Sequence, residues 1–320
     1  MTAVTHLTVA DADAGMRLDR WIRQRFPHVT HGHLSKLLRT GQIRLDGGRC
    51  SAGARLQAGQ AVRLPPLPEA PVARGPARRL PDARELDDIA ARVIHMDDWV
   101  MAIDKPAGLA VQGGSGLSRH LDALLDGLRF GAAERPRLVH RLDRQTSGIL
   151  LLARHAPAAR ALQACFREGR VEKTYWALVA GVPDLPRDGR LAMPLAKRGK
   201  PGRERVEVAE EDGRRAVTFA RIVATAGRVA AWLELRPLTG RTHQLRVHCA
   251  AIGHPILGDG KYGSRTPGRI THVRRLHLHA QSLRLPHPEG GGMLNLACAL
   301  PRDLQEAWNT LGLSVSGDGP

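Results

Sequence analysis

Residues 138–154, LVHRLDRQTSGILLLAR, do most to limit what this chain can fold into. Leu138-Val139 reads as the end of one buried strand, and Gly148-Ile149-Leu150-Leu151-Leu152-Ala153 as the start and body of another. The polar turn between them holds a single carboxylate, Asp143, among His140, Arg141 and Arg144. Loops between core strands often carry chemistry, because a rigid scaffold positions them. A solvated, ion-paired turn fits the same residues equally well, since such networks also perturb titration. The rest of the chain has to separate the two.

At 320 residues there is room for two domains, or for one large domain and a small module. No apolar run approaches the ~20 residues of a membrane span. Residues 1–14 lack a basic segment followed by an apolar one, so no signal peptide is expected. Cys50, Cys165, Cys249 and Cys298 are scattered and never form Cys-x-x-Cys. Neither a disulfide framework nor a structural zinc site is therefore expected, and a reducing cytoplasm fits best. The net charge of +17 favours a polyanionic partner. Nucleic acid ranks ahead of a membrane surface, because no long basic amphipathic helix is present. A generally Arg-rich surface would give part of the same signal.

Along the chain, residues 14–64 form a candidate module. Leu18, Trp21, Ile22 and Phe26 fall at helical spacing, and Pro27 stops that helix. Thr30 is a plausible N-cap for a second helix carrying Leu34, Leu37 and Leu38, which Gly41 ends. Ile43-Arg44-Leu45 enters a tight turn at Asp46-Gly47-Gly48, and Ala61-Val62-Arg63-Leu64 closes a small sheet. Its polar positions are largely basic: Arg20, Arg23, Arg25, Lys36, Arg39 and Arg44. Such a face suits an RNA backbone. Residues 65–90, rich in Pro, Arg and charge, read as a linker. Residues 91–313 read as one α+β domain on a large mixed or antiparallel sheet. It begins with a hairpin turning at Asp97-Asp98, and the helix at 239–252 opens at Thr239-Gly240. Residues 314–320 are a tail.

Several functional classes find little support. The loop Gln112–Gly116 lacks the Gly-Lys-Ser/Thr ending of a P-loop. A two-carboxylate glycosidase would need a second acid at a matched position, and none presents itself. His277 and His279 alternate on a strand, but no third zinc ligand is evident. His243 and His248 read as structural histidines. What remains are polar residues at the ends of apolar runs: Arg141, Asp143, Tyr175, Arg241, His243, Gln244 and Arg246.

Two resemblances bear on these residues. RLDRWI, HLSKLLRTGQIRLDGGR and RLQAGQAVRL resemble the S4 RNA-binding domain. HRLDRQTSGILLLAR resembles the central motif of the RluA family of pseudouridine synthases. EKTYWALVAG, LTGRTHQLRVHCAAIGHPILGDGKYG and LHLHAQSLRL are similar to that family's later motifs, in the same order. The extended DKPAGLAVQGGSGLS and the S4-like module point to the RluC branch. The resemblance implies a pseudouridine synthase fold and isomerisation of uridine in large-subunit ribosomal RNA, free or in an assembling particle. It implies no metal and no organic cofactor, and a monomeric cytoplasmic enzyme is expected.

Residue by residue, Asp143 matches the essential aspartate, and Arg141 the arginine that takes the flipped base's place. Tyr175 matches the tyrosine that packs on uracil, and Arg246 the basic partner of the aspartate. Arg23, Lys36, Arg39, Arg44, Arg144 and Arg241 are the expected RNA contacts. Gln145 and Gln112 depart from residues common in relatives, which bears only on the choice of RNA target. An inert RNA-binding factor and a base-removing hydrolase are the competing readings.

Overall fold

The computed structural model describes residues 4–26, 28–67, 81–113, 119–199, 204–263 and 273–313. Pro27, residues 68–80 of the expected linker, residues 114–118 of the Gly-rich loop and the tail 314–320 lie outside them. The chain divides into two units, Met1–Arg79 and Leu80–Pro320.

The first unit contains β1 (Thr5–Thr8), α1 (Leu18–Arg25), α2 (His31–Arg39), β2 (Arg44–Leu45), β3 (Gly48–Arg49) and β4 (Ala61–Leu64). The strands form one sheet in the order β1-β4-β2-β3. Leu18, Trp21 and Ile22 bury one face of α1, as their spacing requires. Thr30 caps α2 by accepting from the His33 amide at 3.3 Å. Asp46 and Gly47 both have positive φ, 48° and 77°. That conformation matches the twist of a tight hairpin, and Asp and Gly tolerate it. The unit starts earlier than residue 14, because β1 pairs with β4 throughout its length. With one apolar residue, Leu7, in four, β1 carries too little pattern to be read as a strand. Arg23, Lys36, Arg39 and Arg44 are exposed. Arg25 is otherwise engaged: it pairs with Asp13 at 2.6 Å and lies 4.1 Å over the Trp21 ring.

The second unit runs α3 (Ala83–Ala90), β5 (Val93–Met96), β6 (Val100–Lys105), α4 (Leu121–Leu124), β7 (Arg137–Leu138), β8 (Ser147–Ala153), α5 (Ala156–Arg167), β9 (Glu172–Ala180), β10 (Arg190–Ala192), β11 (Leu195–Arg198), β12 (Arg205–Val208), β13 (Val217–Ala226), β14 (Ala230–Pro237), α6 (Gln244–Ala251), β15 (Leu278–Pro286), β16 (Met293–Ala297) and α7 (Arg302–Thr310). Helix α3 falls in the stretch expected to be linker. Its start is a capping box, with Asp82 accepting from the Glu85 amide and Glu85 reaching back. Four acidic residues near it and an arginine-rich approach mask its short apolar face, of which Ile89 is buried. No helix among the described residues is long and apolar enough to cross a membrane.

The large sheet is mixed. Its main path is β10-β13-β14-β9-β15-β8-β6-β5, with β16 on β15 and β7 on β8. Neighbours are antiparallel except β15 and β8, which run parallel. Strand β8 is buried on both faces. Ile149, Leu151 and Ala153 pack with Leu162 and Cys165 of α5, while Leu150 and Leu152 pack with Met101, Ile103 and Leu121. Strand β14 is split likewise between Leu245 of α6 and Trp308 of α7. The expected first apolar run is shorter than its pattern implied: β7 covers Arg137–Leu138 only, and Leu138 is half-buried.

Gly148 sets the junction of β8 and β15. Its φ is +109°, and a Cβ there would lie 2.2 Å from the Ala280 carbonyl oxygen. Both the backbone and the space demand glycine. Gly148→Ala is expected to lower stability by roughly 2–4 kcal/mol, measured by urea unfolding. A loss below about 0.5 kcal/mol would mean that the junction is not close-packed.

Candidate active site

A cleft of about 490 Å³ opens in the second unit. Three segments and Leu278 of β15 line it: the turn 140–146 before β8, the stretch from the end of α5 into β9, and residues 237–246 joining β14 to α6. Asp143 is the one carboxylate among the described residues of its lining.

The Asp143 turn is tied down from beneath. The Arg144 carbonyl accepts from the Gly108 amide at 2.7 Å. The Arg144 side chain returns a bond from Nε to the Gly108 carbonyl at 2.9 Å. Lys105, wholly buried, donates to the carbonyls of Pro106 (2.8 Å), Leu109 (3.0 Å) and Arg144 (3.4 Å). Burial pulls its ammonium down to about 7, against the opposing pull of the Asp143 charge.

Arg246 reaches Asp143 as expected, yet Asp143 is not its main partner. Its Nη1 lies 3.9 Å from Asp143 Oδ2. Its Nε and Nη2 instead form a two-point pair with Asp259, at 2.8 and 2.6 Å. Asp259 also accepts from the amides of Lys261 and Tyr262, at 2.9 and 3.0 Å. Burial alone would raise the Asp259 carboxyl, but the Arg246 bonds and charge outweigh it and hold it low. A buried guanidinium needs such a partner, and Asp259 is the first carboxylate downstream of Arg246. That signal was available in the sequence.

His243 corrects a second expectation. It is not merely structural: its Nε2 lies 3.9 Å from Asp143 Oδ2, and its Nδ1 lies 2.7 Å from the Tyr262 hydroxyl. Helix α6 starts at Gln244, five residues later than expected, because His243 adopts the left-handed conformation (φ 54°, ψ 18°). Thr242 therefore precedes the helix. Gln244 holds the intervening turn, accepting from Thr239 Oγ1 at 2.7 Å and the Arg241 amide at 3.1 Å.

Tyr175 lies on β9 and lines the cleft. Burial, and then the Asp143 charge, push its phenol up, so it stays neutral. Arg141 is exposed at the cleft, with no ion-pair partner among the described residues. Arg241 lines the cleft and donates to the Arg215 carbonyl at 3.1 Å. Arg144 is exposed but does not line it. His140 serves the fold: its Nε2 accepts from the Leu151 amide at 2.8 Å, and its ring stacks on Phe166 at 4.6 Å. His248 bonds Thr218 and the Met193 carbonyl. His277 stacks on Trp308, and His279 bonds Ser147. Among the described residues no group of side chains is arranged to hold a metal ion.

The arrangement offers a carboxylate with positive charge beside one oxygen, and a neutral aromatic ring in the same cleft. A flat, neutral ring that can stack on Tyr175 beside Asp143 fits that chemistry. Asp259→Asn would leave Arg246 buried without its counter-charge. We expect a stability loss of about 3–5 kcal/mol in denaturant unfolding. A loss under about 1 kcal/mol would show that the pair is dispensable.

Residues 99–251 match the model of the RNA pseudouridylate synthase family. The chain is 34% identical to the ribosomal large subunit pseudouridine synthase C of Vibrio cholerae, over 96% of this chain and 96% of that protein. It is 32% identical to the protein of the same name from Escherichia coli K12, over 97% of each. Among solved structures, the human RNA pseudouridylate synthase domain containing 4 is similar, with a TM-score of 0.60 and 30% identity over 71% of this chain and 95% of that one. On this evidence the chain belongs to the RluA family of RNA pseudouridine synthases.

Proposed function

We propose that the chain converts specific uridines of large-subunit ribosomal RNA to pseudouridine, with Asp143 as the reacting carboxylate. The observation that carries this is the composition of the cleft: one carboxylate, a neutral tyrosine ring and a guanidinium, with no second acid among the described residues lining it. A hydrolase would need a group to activate water. An isomerase does not, because the detached uracil is its own second nucleophile. The two bacterial relatives, similar along nearly their whole length, support ribosomal RNA as the substrate.

A uridine in folded RNA must leave its stack, at a cost of a few kcal/mol. Stacking on Tyr175 returns roughly 1–3 kcal/mol, and Arg141, exposed and without an ion-pair partner among the described residues, fills the space the base leaves. Asp143 then attacks C1′ or takes the 2′ proton. Either way the N1–C1′ bond breaks and the uracil turns; C5 then joins C1′, displacing the Asp143 carboxylate on the first route or with the proton returned to C2′ on the second, and C5 loses its own proton. Arg144 and Arg241 hold flanking phosphates in this reading. Arg23, Lys36, Arg39 and Arg44 of the first unit, whose sequence resembles an S4 domain, supply further backbone contacts. The reading extends to a cytoplasmic monomer acting on free RNA or on an assembling particle.

With unmodified large-subunit ribosomal RNA, the wild-type protein is expected to form pseudouridine, and Asp143→Asn none, with RNA affinity within about twofold. Normal turnover by the variant would refute the assignment, and free uracil with abasic RNA would mark a hydrolase instead. Replacing Lys36, Arg39 and Arg44 together by Ala should weaken binding and shrink the slope of log K against log salt by roughly 2–3. An unchanged slope would remove these residues from the interface.

A further inference from the structure

Two donors flank the same oxygen of Asp143. His243 Nε2 and Arg246 Nη1 each lie 3.9 Å from Oδ2. Among the described residues no side-chain hydrogen bond is formed to either oxygen, and Oδ2 is the one nearer to both donors. The two oxygens of the carboxylate are therefore unlike, and what His243 presents to Oδ2 depends on which ring nitrogen carries its proton.

The surroundings of Tyr262 decide that. A phenol has one proton to donate and two lone pairs. The Val206 amide donates to the Tyr262 hydroxyl at 3.0 Å and takes one lone pair. Among the described residues its other hydrogen-bond contact is His243 Nδ1, at 2.7 Å. If Nδ1 carried the imidazole proton, it would take the second lone pair and strand the phenol's proton. Arg205, Arg246 and Lys261 lie 5.0, 5.0 and 6.0 Å from the Tyr262 ring and cannot accept, and the Asp259 carboxylate, which also faces Tyr262, takes its backbone amide and not its hydroxyl. With Nδ1 unprotonated, the phenol donates to it and every group is satisfied. The imidazole proton then sits on Nε2, facing Asp143. Burial lowers the His243 pKa and raises that of Tyr262, which favours a neutral imidazole and an intact phenol. The left-handed backbone of His243 is uncommon outside glycine. It turns the ring toward the cleft rather than onto the helix end, where no side-chain cap forms.

Resting on the uridine reading above, we propose that Tyr262 fixes His243 as the Nε2–H tautomer, so that His243 and Arg246 together hold Oδ2 of Asp143 and leave Oδ1 as the oxygen that reacts with the ribose. At 3.9 Å neither donor is yet hydrogen-bonded. Such contacts often tighten only when the substrate is bound. The assignment holds for both routes open to Asp143, since attack at C1′ and removal of the 2′ proton each need one unencumbered oxygen. His243 and Tyr262 are positioning residues here.

The test uses the full chain and the RNA uridine that the wild type modifies. Glutamine at 243 carries its amide nitrogen out to the position of Nε2, whereas asparagine stops near Nδ1 but tolerates the left-handed backbone better. Under single turnover, His243→Gln is expected within roughly fivefold of wild type, and His243→Asn slower by roughly 10- to 100-fold, with RNA affinity unchanged. An Asn variant as fast as the Gln variant, or faster, would overturn the proposal, because His243 would then serve only the backbone turn. Nitrogen NMR of protein labelled with ¹⁵N-histidine gives a readout independent of turnover. The resonances lost in His243→Gln identify the ring, which should be protonated at Nε2 in wild type and lose that preference in Tyr262→Phe. A proton on Nδ1 in wild type would overturn the proposal directly. An active Asp143→Asn protein would instead defeat the uridine reading, so the two failures are distinguishable.

Discussion

The buried pair of Arg246 and Asp259 is the contact on which the site depends. Pairs of this kind contribute little net stability, because removing both charges from water costs about as much as their attraction returns. Their effect is on direction. Asp259 meets Arg246 at two points and accepts the amides of Lys261 and Tyr262 with the same carboxylate. One side chain therefore orients the guanidinium that faces Asp143 and brings Tyr262 beneath His243. Both groups that approach Asp143 Oδ2 are set by this loop, although it contributes nothing to the lining of the cleft.

The opposite wall depends on a second buried basic group. Lys105 is held by the carbonyls of Pro106 and Leu109 in the loop after β6 and of Arg144 in the Asp143 turn. Behind it, Gly148 lets β8 meet β15 closely and in parallel. The sheet thus fixes Asp143 from below while α6 and the 259–262 loop fix its partners from the side. Such two-sided support is what a reaction needs when it relies on placement more than on strong acids or bases.

Much of this was legible in the sequence. The apolar run 148–153 announced a buried strand, and Thr30 and Asp46-Gly47 announced a cap and a turn through local rules that operate within a few residues. Asp143, Tyr175 and Arg246 could be picked out because polar residues interrupt or end apolar runs there, and the family motifs gave them roles. Other features depend on contacts distant in sequence. Nothing local marks Lys105 as buried, since a lysine next to proline reads as a surface turn. His243 looked structural because its left-handed backbone, which delays the start of α6, is invisible in a pattern of residue types. Helix α3 was hidden by its charge, although its capping box could have been noticed. Strand β1 has almost no pattern of its own and exists because β4 offers it an edge.

The cleft of the second unit is thus a site for uridine isomerisation on ribosomal RNA. The most direct test is a pseudouridine map of large-subunit ribosomal RNA from cells lacking this chain, repeated after complementation with wild type or Asp143→Asn. Discrete pseudouridines should be missing, return with wild type, and stay missing with the variant. A map unchanged by loss of the chain, or restored by Asp143→Asn, would contradict the account.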